Sequence, residues 1–280
     1  MPAPAFAGVN SSGHPYIVLV WIPAYAGMTV RLTWTAMKKI KDYSLYLVIT
    51  EKYGKGRSAI EIADAAIAGG VDIIQMREKD KPRPELIELG KELSSLCKDN
   101  GVIFMVNDCP ETAKESGADG VHLGQDDIKE CSVEKARSLL GRDKIIGLST
   151  HSIETFKKAC LEDVDYIAYG PVFPTKIKEN CIGTEDIGNI IKMTKKPVFF
   201  IGGINLENVD QLLNKKVKNI SLIRAITQAN DVKSAVESFK AKMEIASARH
   251  LQWRDSQWRL IKRIIYGKLT RTRQDKPGIF

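Results

Sequence analysis

The chain has 280 residues, 44% apolar and 27% charged, with 21 Gly and 11 Pro, a make-up that excludes a collagen-like, disordered or disulfide-scaffold protein. Its formal charge of +8 suggests nucleic acid or membrane only until that charge is located. Residues 244–280 hold nine Lys or Arg against three Asp or Glu and residues 1–36 hold Arg31 alone, so Met37–Met243 carries only +1.

Taken in chain order, the first feature is the apolar run YIVLVWIPAYAGMTV (16–30). It is short and Pro-broken against the roughly 20 apolar residues of a bilayer span, and no basic residue precedes it as a signal peptide requires. Residues 1–36 therefore read as an extension outside the domain, with the natural start expected at Met37. From Leu45 onward one unit recurs: a short run of Val, Ile and aromatics, a polar or Gly residue, then an amphipathic stretch. The expected strands are 45–50, 71–77, 102–107, 120–124, 144–149, 166–170, 197–203 and 219–226. Near-continuous apolar runs mean strands covered on both faces, as in parallel sheets. Helical patterns such as SAIEIADAAIAGG and NLENVDQLLNKKV lie between them, several ending at Gly or Asn-Gly. Eight strands alternating with helices in about 250 residues predict a single-domain α/β fold, a (β/α)8 TIM barrel over 37–243; a doubly wound sheet is the runner-up. Residues 244–280 form a basic tail, where Leu260, Ile261, Ile264 and Ile265 suit one face of an amphipathic helix. The five cysteines have no CxxC spacing, so each is expected as a reduced, buried small hydrophobe in a cytoplasmic protein rather than a zinc ligand.

In such a barrel, chemistry collects at the C-terminal ends of the strands. Strand two ends in Gln75, Arg77 and Lys79, alternate positions that share one face. Strand three ends in Asn107 and Asp108, strand four runs into Gln125-Asp126-Asp127, and strand five ends in Ser149-Thr150-His151. Strand six leads into Thr175-Lys176-Ile177-Lys178, strand seven ends in Gly202-Gly203, and strand eight in Arg224. Arg77 offers a planar fork for phosphate oxygens, with Lys79 and Lys178 as point charges. Separated carboxylates without clustered His or Cys favour Mg²⁺, which bridges carboxylates to substrate phosphates. Gly202-Gly203 suits a backbone phosphate cup. One diphosphate with Mg²⁺ and one monophosphate are the implied ligands. Singly, each residue reads more blandly: Asp108 as a helix N-cap, the cations as solvated charges, His122 as a core histidine or one lying behind the site. The joint placement at seven strand ends carries the reading.

The runs QMREK (75–79), ND (107–108), GVHLGQDD (120–127), GLSTH (147–151), GPVFPTKIK (170–178), FIGGI (200–204) and RAI (224–226) resemble, in order and spacing, the thiamine-phosphate synthase family. The resemblance covers about Leu45 to Met243. It implies a transferase that joins 4-amino-2-methyl-5-pyrimidinylmethyl diphosphate to 4-methyl-5-hydroxyethylthiazole phosphate, or its carboxylate, and releases diphosphate. It also assigns Gln75, Met76, Arg77, Glu78 and Lys79 to the pyrimidine diphosphate, with Arg77, Lys79 and Lys178 stabilising the leaving group. Asn107 would contact the same substrate, Ser149 would complete the diphosphate site, and Asp108 and Asp127 would be the Mg²⁺ ligands. Thr175, Lys176, Ile177, Gly203, Ile223 and Arg224 would line the thiazole phosphate site. The expected partners are small-molecule substrates, with no nucleic acid and no membrane, and a homo-oligomer is left open.

Two positions depart from the family's pattern. Ile177 stands where a second Thr is usual, removing a hydroxyl donor worth about 1 kcal/mol, and Arg224 stands where Ser is common. Two rivals remain. A thiazole tautomerase of the same family would use His151 as acid and base. A non-catalytic phosphate or nucleic-acid binder would use the Trp- and Arg-rich tail (Trp253, Arg254, Trp258, Arg259).

Overall fold

A computed structural model of the chain describes residues 39–125, 131–175 and 181–252. Eight strands, β1 (Leu45–Ile49), β2 (Ile73–Met76), β3 (Ile103–Asn107), β4 (Gly120–Leu123), β5 (Ile145–Thr150), β6 (Tyr166–Tyr169), β7 (Val198–Ile201) and β8 (Asn219–Leu222), close in sequence order into an all-parallel barrel, β8 pairing back onto β1. The (β/α)8 expectation holds. Helices α1 (Ala59–Ala68), α2 (Arg83–Asp99), α3 (Pro110–Glu115), α4 (Val133–Leu140), α5 (Ile153–Leu161), α6 (Ile187–Met193), α7 (Val209–Leu213) and α8 (Arg224–Thr227) occupy the intervals, and residues 232–252 are helical.

Successive side chains on a strand point to opposite faces, and closure turns this alternation into two cores. Leu45, Leu47, Ile49, Ile74, Met76, Phe104, Val106, Val121, Leu123, Ile146 and Leu148 join the cluster shared with buried helix residues such as Ile62, Leu93 and Phe156. The alternate residues Tyr46, Val48, Ile73, Ile103, Met105, Ile145, Tyr166, Ala168 and Phe199 fill the barrel interior. In that interior the rings of Tyr46, Tyr166 and Phe199 meet edge-on, with centroids 5.2–5.9 Å apart. Such contacts add to the burial of large apolar area. Gly147 makes this packing feasible: a Cβ there would lie 2.0 Å from the Tyr166 ring.

Two expectations need correction, the end of the last strand and the burial of the cysteines, and two further placements stand beside them. The last strand stops at Leu222, not 226, because Ile223 leaves the extended region (φ −125°, ψ −93°) and Arg224–Thr227 turns helical. The apolar pattern runs on because Ile226 is buried by the helix instead. Asp108 is not a helix cap. Its φ is +63°, and Cys109 caps α3, its Sγ accepting from the Thr112 N–H at 3.4 Å. Among the cysteines only Cys97 is buried; Cys109, Cys131 and Cys160 are half-buried and Cys181 is exposed. Finally, the helical stretch 232–252 runs straight through the expected edge of the domain at 243, with Ala246 buried and the Tyr43 hydroxyl bonded to His250 Nδ1. The expected extension 1–36 and the Trp- and Arg-rich part of the tail lie outside the described residues.

Candidate active site at the C-terminal mouth

Inward parity places Gln75, Asn107, His122 and Ser149 above the aromatic floor of the barrel, at or just below its C-terminal rim. Register sets Asn107 opposite His122 across β3 and β4, and Gln75 opposite Met105 across β2 and β3. Gln75 is buried, and its Nε2 donates to Asn107 Oδ1 at 3.0 Å. That bond orients the Asn107 amide so that Nδ2 donates to Asp108 Oδ2. Asp108 sits in the left-handed region, tolerated best by Gly, Asn and Asp. Its N–H donates to the His122 carbonyl at 2.8 Å, and its Oδ1 accepts the Gly124 N–H at 2.9 Å. The turn thus binds β3 to the end of β4 and leaves Oδ2 beside Lys79, whose Nζ lies 3.3 Å away.

Arg77 shares the inward parity of Gln75, and its guanidinium makes no ion pair among the described residues. Its charge is close enough to help depress the His122 pKa. Lys79 is half exposed at the mouth. The structure divides the QMREK run differently from the expectation. Met76 faces outward into the helix-side core, so only its backbone borders the mouth. Glu78 also turns aside: its carboxylate accepts the Glu51 N–H at 2.6 Å and the Thr50 hydroxyl at 3.4 Å. Burial raises its pKa. Glu51 in turn accepts the Ala59 N–H at 2.9 Å and pairs with Lys81 at 2.9 Å. Glu78 and Glu51 therefore tie the loop after β1 to the end of β2.

Across the mouth, Ser149 Oγ lies 2.8 Å from His122 Nε2, and His122 Nδ1 lies 2.8 Å from the Tyr166 hydroxyl. His122 is buried and stacked on Tyr166, with centroids 5.6 Å apart. Burial first, then the charge of Arg77 and that of His151, lowers its pKa to about 4. The folded chain therefore refuses a proton that the unfolded chain accepts near 6.5. Below pH about 6.5, and down to about 4, this site should cost stability progressively; above that window it should cost none. Denaturant unfolding of the unaltered chain and His122→Gln at pH 7 and pH 4.5 checks this: the stability difference must shift against the unaltered chain at the lower pH. His151 is exposed, its Nδ1 2.6 Å from the Gly170 carbonyl and its N–H on Thr155 Oγ1 at 3.2 Å.

On the β6–β8 side, Gly202 and Gly203 have φ of +99° and +66°. A Cβ on Gly203 would stand 2.6 Å from the Pro174 carbonyl and 2.7 Å from Phe173 Cβ. The glycine pair thus packs backbone-tight against the loop leading to Thr175. Ile223 closes the top of the interior cluster. Arg224, half-buried, lays its guanidinium over the Tyr53 ring, 5.4 Å from the centroid. Asp127, Lys176, Ile177 and Lys178 lie outside the described residues.

The model of one family, described as thiamine monophosphate synthase, matches residues 45–226, the span that builds the barrel. The chain belongs to the thiamine monophosphate synthase family. It is similar to the thiamine-phosphate synthase of Halalkalibacterium halodurans (39% identity over 208 residues, 73% of this chain and 97% of the relative). It is also similar to that of Persephonella marina (40% over 205 residues, 72% and 97%). Among solved structures it resembles a thiamine phosphate pyrophosphorylase from Pyrococcus furiosus, with a TM-score of 0.67 and 34% identity, covering 73% of this chain and 96% of that one.

Within that family frame, three residues that no strand end names touch side chains of the site: Tyr166 bonds His122, Tyr46 bonds Tyr166, and Tyr53 lies under Arg224. The available signal was parity: Tyr46 sits two residues before Val48, and Tyr166 pairs in register with Gly147, the one residue type that admits its ring. Among the described residues no helix is long and apolar enough to cross a membrane.

Proposed function

We propose that the chain makes thiamine phosphate, joining 4-amino-2-methyl-5-pyrimidinylmethyl diphosphate to 4-methyl-5-hydroxyethylthiazole phosphate, or its carboxylate, with release of diphosphate. Family membership supports the reaction. The observation that carries it to this site is the linked set Gln75, Asn107, Asp108 and Lys79 at the mouth of β2 and β3, the positions of the family's QMREK and ND motifs.

The donor chemistry fits magnesium. Asp108 is a hard oxygen ligand with one oxygen held by a backbone N–H and the other turned to where a cation, the Lys79 ammonium, already sits. Asp108 and Asp127 would hold the ion, which when bound neutralises diphosphate charge. Arg77 and Lys79, joined by Lys178, bind the same oxygens and stabilise the negative charge that grows as the methylene–oxygen bond breaks. Gln75 and Asn107, locked to each other, orient the pyrimidine substrate. The aminopyrimidine delocalises the resulting cation, and the thiazole nitrogen attacks it unaided, so the protein's remaining task is to hold the two partners face to face. No activated nucleophile of the protein is called for. Gly203, Thr175, Ile223 and Arg224 line the thiazole phosphate side, to which the family's motif also assigns Lys176 and Ile177. The reaction takes place in the cytoplasm, with small molecules as its partners.

The test is incubation of the full chain with both substrates and Mg²⁺, with detection of thiamine phosphate and diphosphate. Absence of product, or equal turnover in a chelator, would refute the reading. Arg224 supplies a site-specific check. Arg224→Ala should raise the KM for thiazole phosphate by roughly tenfold, the worth of one charge-assisted contact, and leave the KM for the pyrimidine diphosphate nearly unchanged. Equal changes in both constants would remove Arg224 from the thiazole side.

A further inference from the structure

Four polar side chains run in line through the barrel interior, and only the last, Ser149, has a role implied by the family resemblance, at the diphosphate site. Tyr46 Oη lies 2.9 Å from Tyr166 Oη, Tyr166 Oη 2.8 Å from His122 Nδ1, and His122 Nε2 2.8 Å from Ser149 Oγ. Each link alone admits either direction of donation. The far end removes that freedom. Tyr46 is 2% exposed and faces the edge-on ring of Phe199, and among the described residues its hydroxyl has no hydrogen-bond partner except Tyr166.

If the chain ran inward, Ser149 donating to His122, His122 to Tyr166 and Tyr166 to Tyr46, the final proton on Tyr46 would point at apolar core. An unmet buried donor bears its full desolvation penalty with no bond in return. If it runs outward, Tyr46 donates to Tyr166, Tyr166 to Nδ1, and Nε2–H to Ser149 Oγ. Every buried proton is then used, and only acceptor lone pairs on Tyr46 go begging, which is cheaper. Burial raises the pKa of both phenols, so both keep their protons. A doubly protonated His122 would donate to Tyr166 as well and leave the Tyr46 proton equally unmet, so the geometry gives the ring a single proton to place.

We propose that His122 is a positioning residue: held as its Nε2–H tautomer by Tyr166 and Tyr46, it donates to Ser149 Oγ and so turns the Ser149 hydroxyl proton out of the barrel, toward the departing diphosphate. The assignment of diphosphate as the acceptor rests on the function proposed above. No bond is made or broken in this step. The serine reaches the reaction already aimed as a donor, in place of a rotor that must be ordered each turnover, and preorganised donors of this kind are what stabilise a developing anion.

Two measurements on the full chain test this. A long-range nitrogen–proton correlation spectrum of the four histidines, with His122 assigned by its loss in His122→Gln, should show a proton on Nε2 and none on Nδ1; a proton on Nδ1 overturns the proposal. In kinetics, His122→Leu should lower kcat roughly tenfold, as expected for one hydrogen bond to a charged group, with the KM for thiazole phosphate unchanged. His122→Gln, whose amide N–H reaches the position of Nε2–H, should recover most of that loss. Equal losses in the two variants overturn the role. Should His122→Leu fail to fold, the nitrogen spectrum decides alone. If the unaltered chain forms no thiamine phosphate, the reaction reading fails, and the spectrum still judges the direction of the hydrogen-bond chain.

Discussion

Asp108→Asn should leave the fold intact and lower kcat by about 10²- to 10³-fold, the scale of losing a principal charge from a transition-state site. Asparagine is the informative replacement because it separates two jobs that Asp108 performs. At φ +63° few residues are comfortable, and Asn is one of them. Its amide oxygen still accepts the Gly124 N–H, so the turn joining β3 to the end of β4 persists. What disappears is the negative charge beside Lys79 and, with it, most of the pull that the proposed function gives this residue on magnesium. The Mg²⁺ concentration giving half-maximal rate should rise together with the fall in kcat, while thermal unfolding changes little. A variant that keeps its magnesium dependence and its rate would remove Asp108 from the metal site. A variant that loses rate only because it unfolds would show the turn to be the residue's whole purpose.

Gly203→Ala should destabilise the chain by about 2–5 kcal/mol and raise the KM for thiazole phosphate. Two costs combine. A non-Gly residue at φ +66° pays roughly 1–2 kcal/mol against its own backbone. The new methyl must also displace the Pro174 carbonyl and Phe173 Cβ, found 2.6 and 2.7 Å from its position, and overpacking of this kind adds about 1–3 kcal/mol. The displaced segment is the loop after β6, whose N–H groups at Val172 and Phe173 bond the Ile201 and Gly202 carbonyls at 2.9 and 3.0 Å. A shift there moves Thr175 relative to the glycine pair, so binding should suffer beyond what the loss of stability explains. Denaturant unfolding and substrate KM values, measured on the same preparation, separate the two effects. Unchanged stability would mean that the loop yields freely and that the close packing has no role.

The strand rhythm was legible in the residues because parallel strands buried on both faces leave an apolar run that little else in a mid-sized chain produces. The mouth residues were legible for a related reason: such runs end where the backbone leaves the sheet, and polar groups first become affordable there. Gln75, Asn107, Asp108 and Ser149 all stand at such ends. What the motif did not disclose was how its side chains divide: Met76 faces the helices and Glu78 turns to the loop after β1.

By itself the sequence determined the number, order and kind of elements, and which side chains on one strand share a face, since both follow from local periodicity. It left undecided which of the two faces looks inward, because both are apolar, and only closure of the barrel settles that. Closure also decided what meets across the interior. Tyr46, Tyr166 and His122 come from strands β1, β6 and β4, and β1 pairs with neither of the others. Their contact depends on the width of the barrel and on the missing side chain of Gly147. No spacing along the chain encodes a distance across a closed sheet, so the hydrogen-bonded line behind Ser149 exists only in three dimensions.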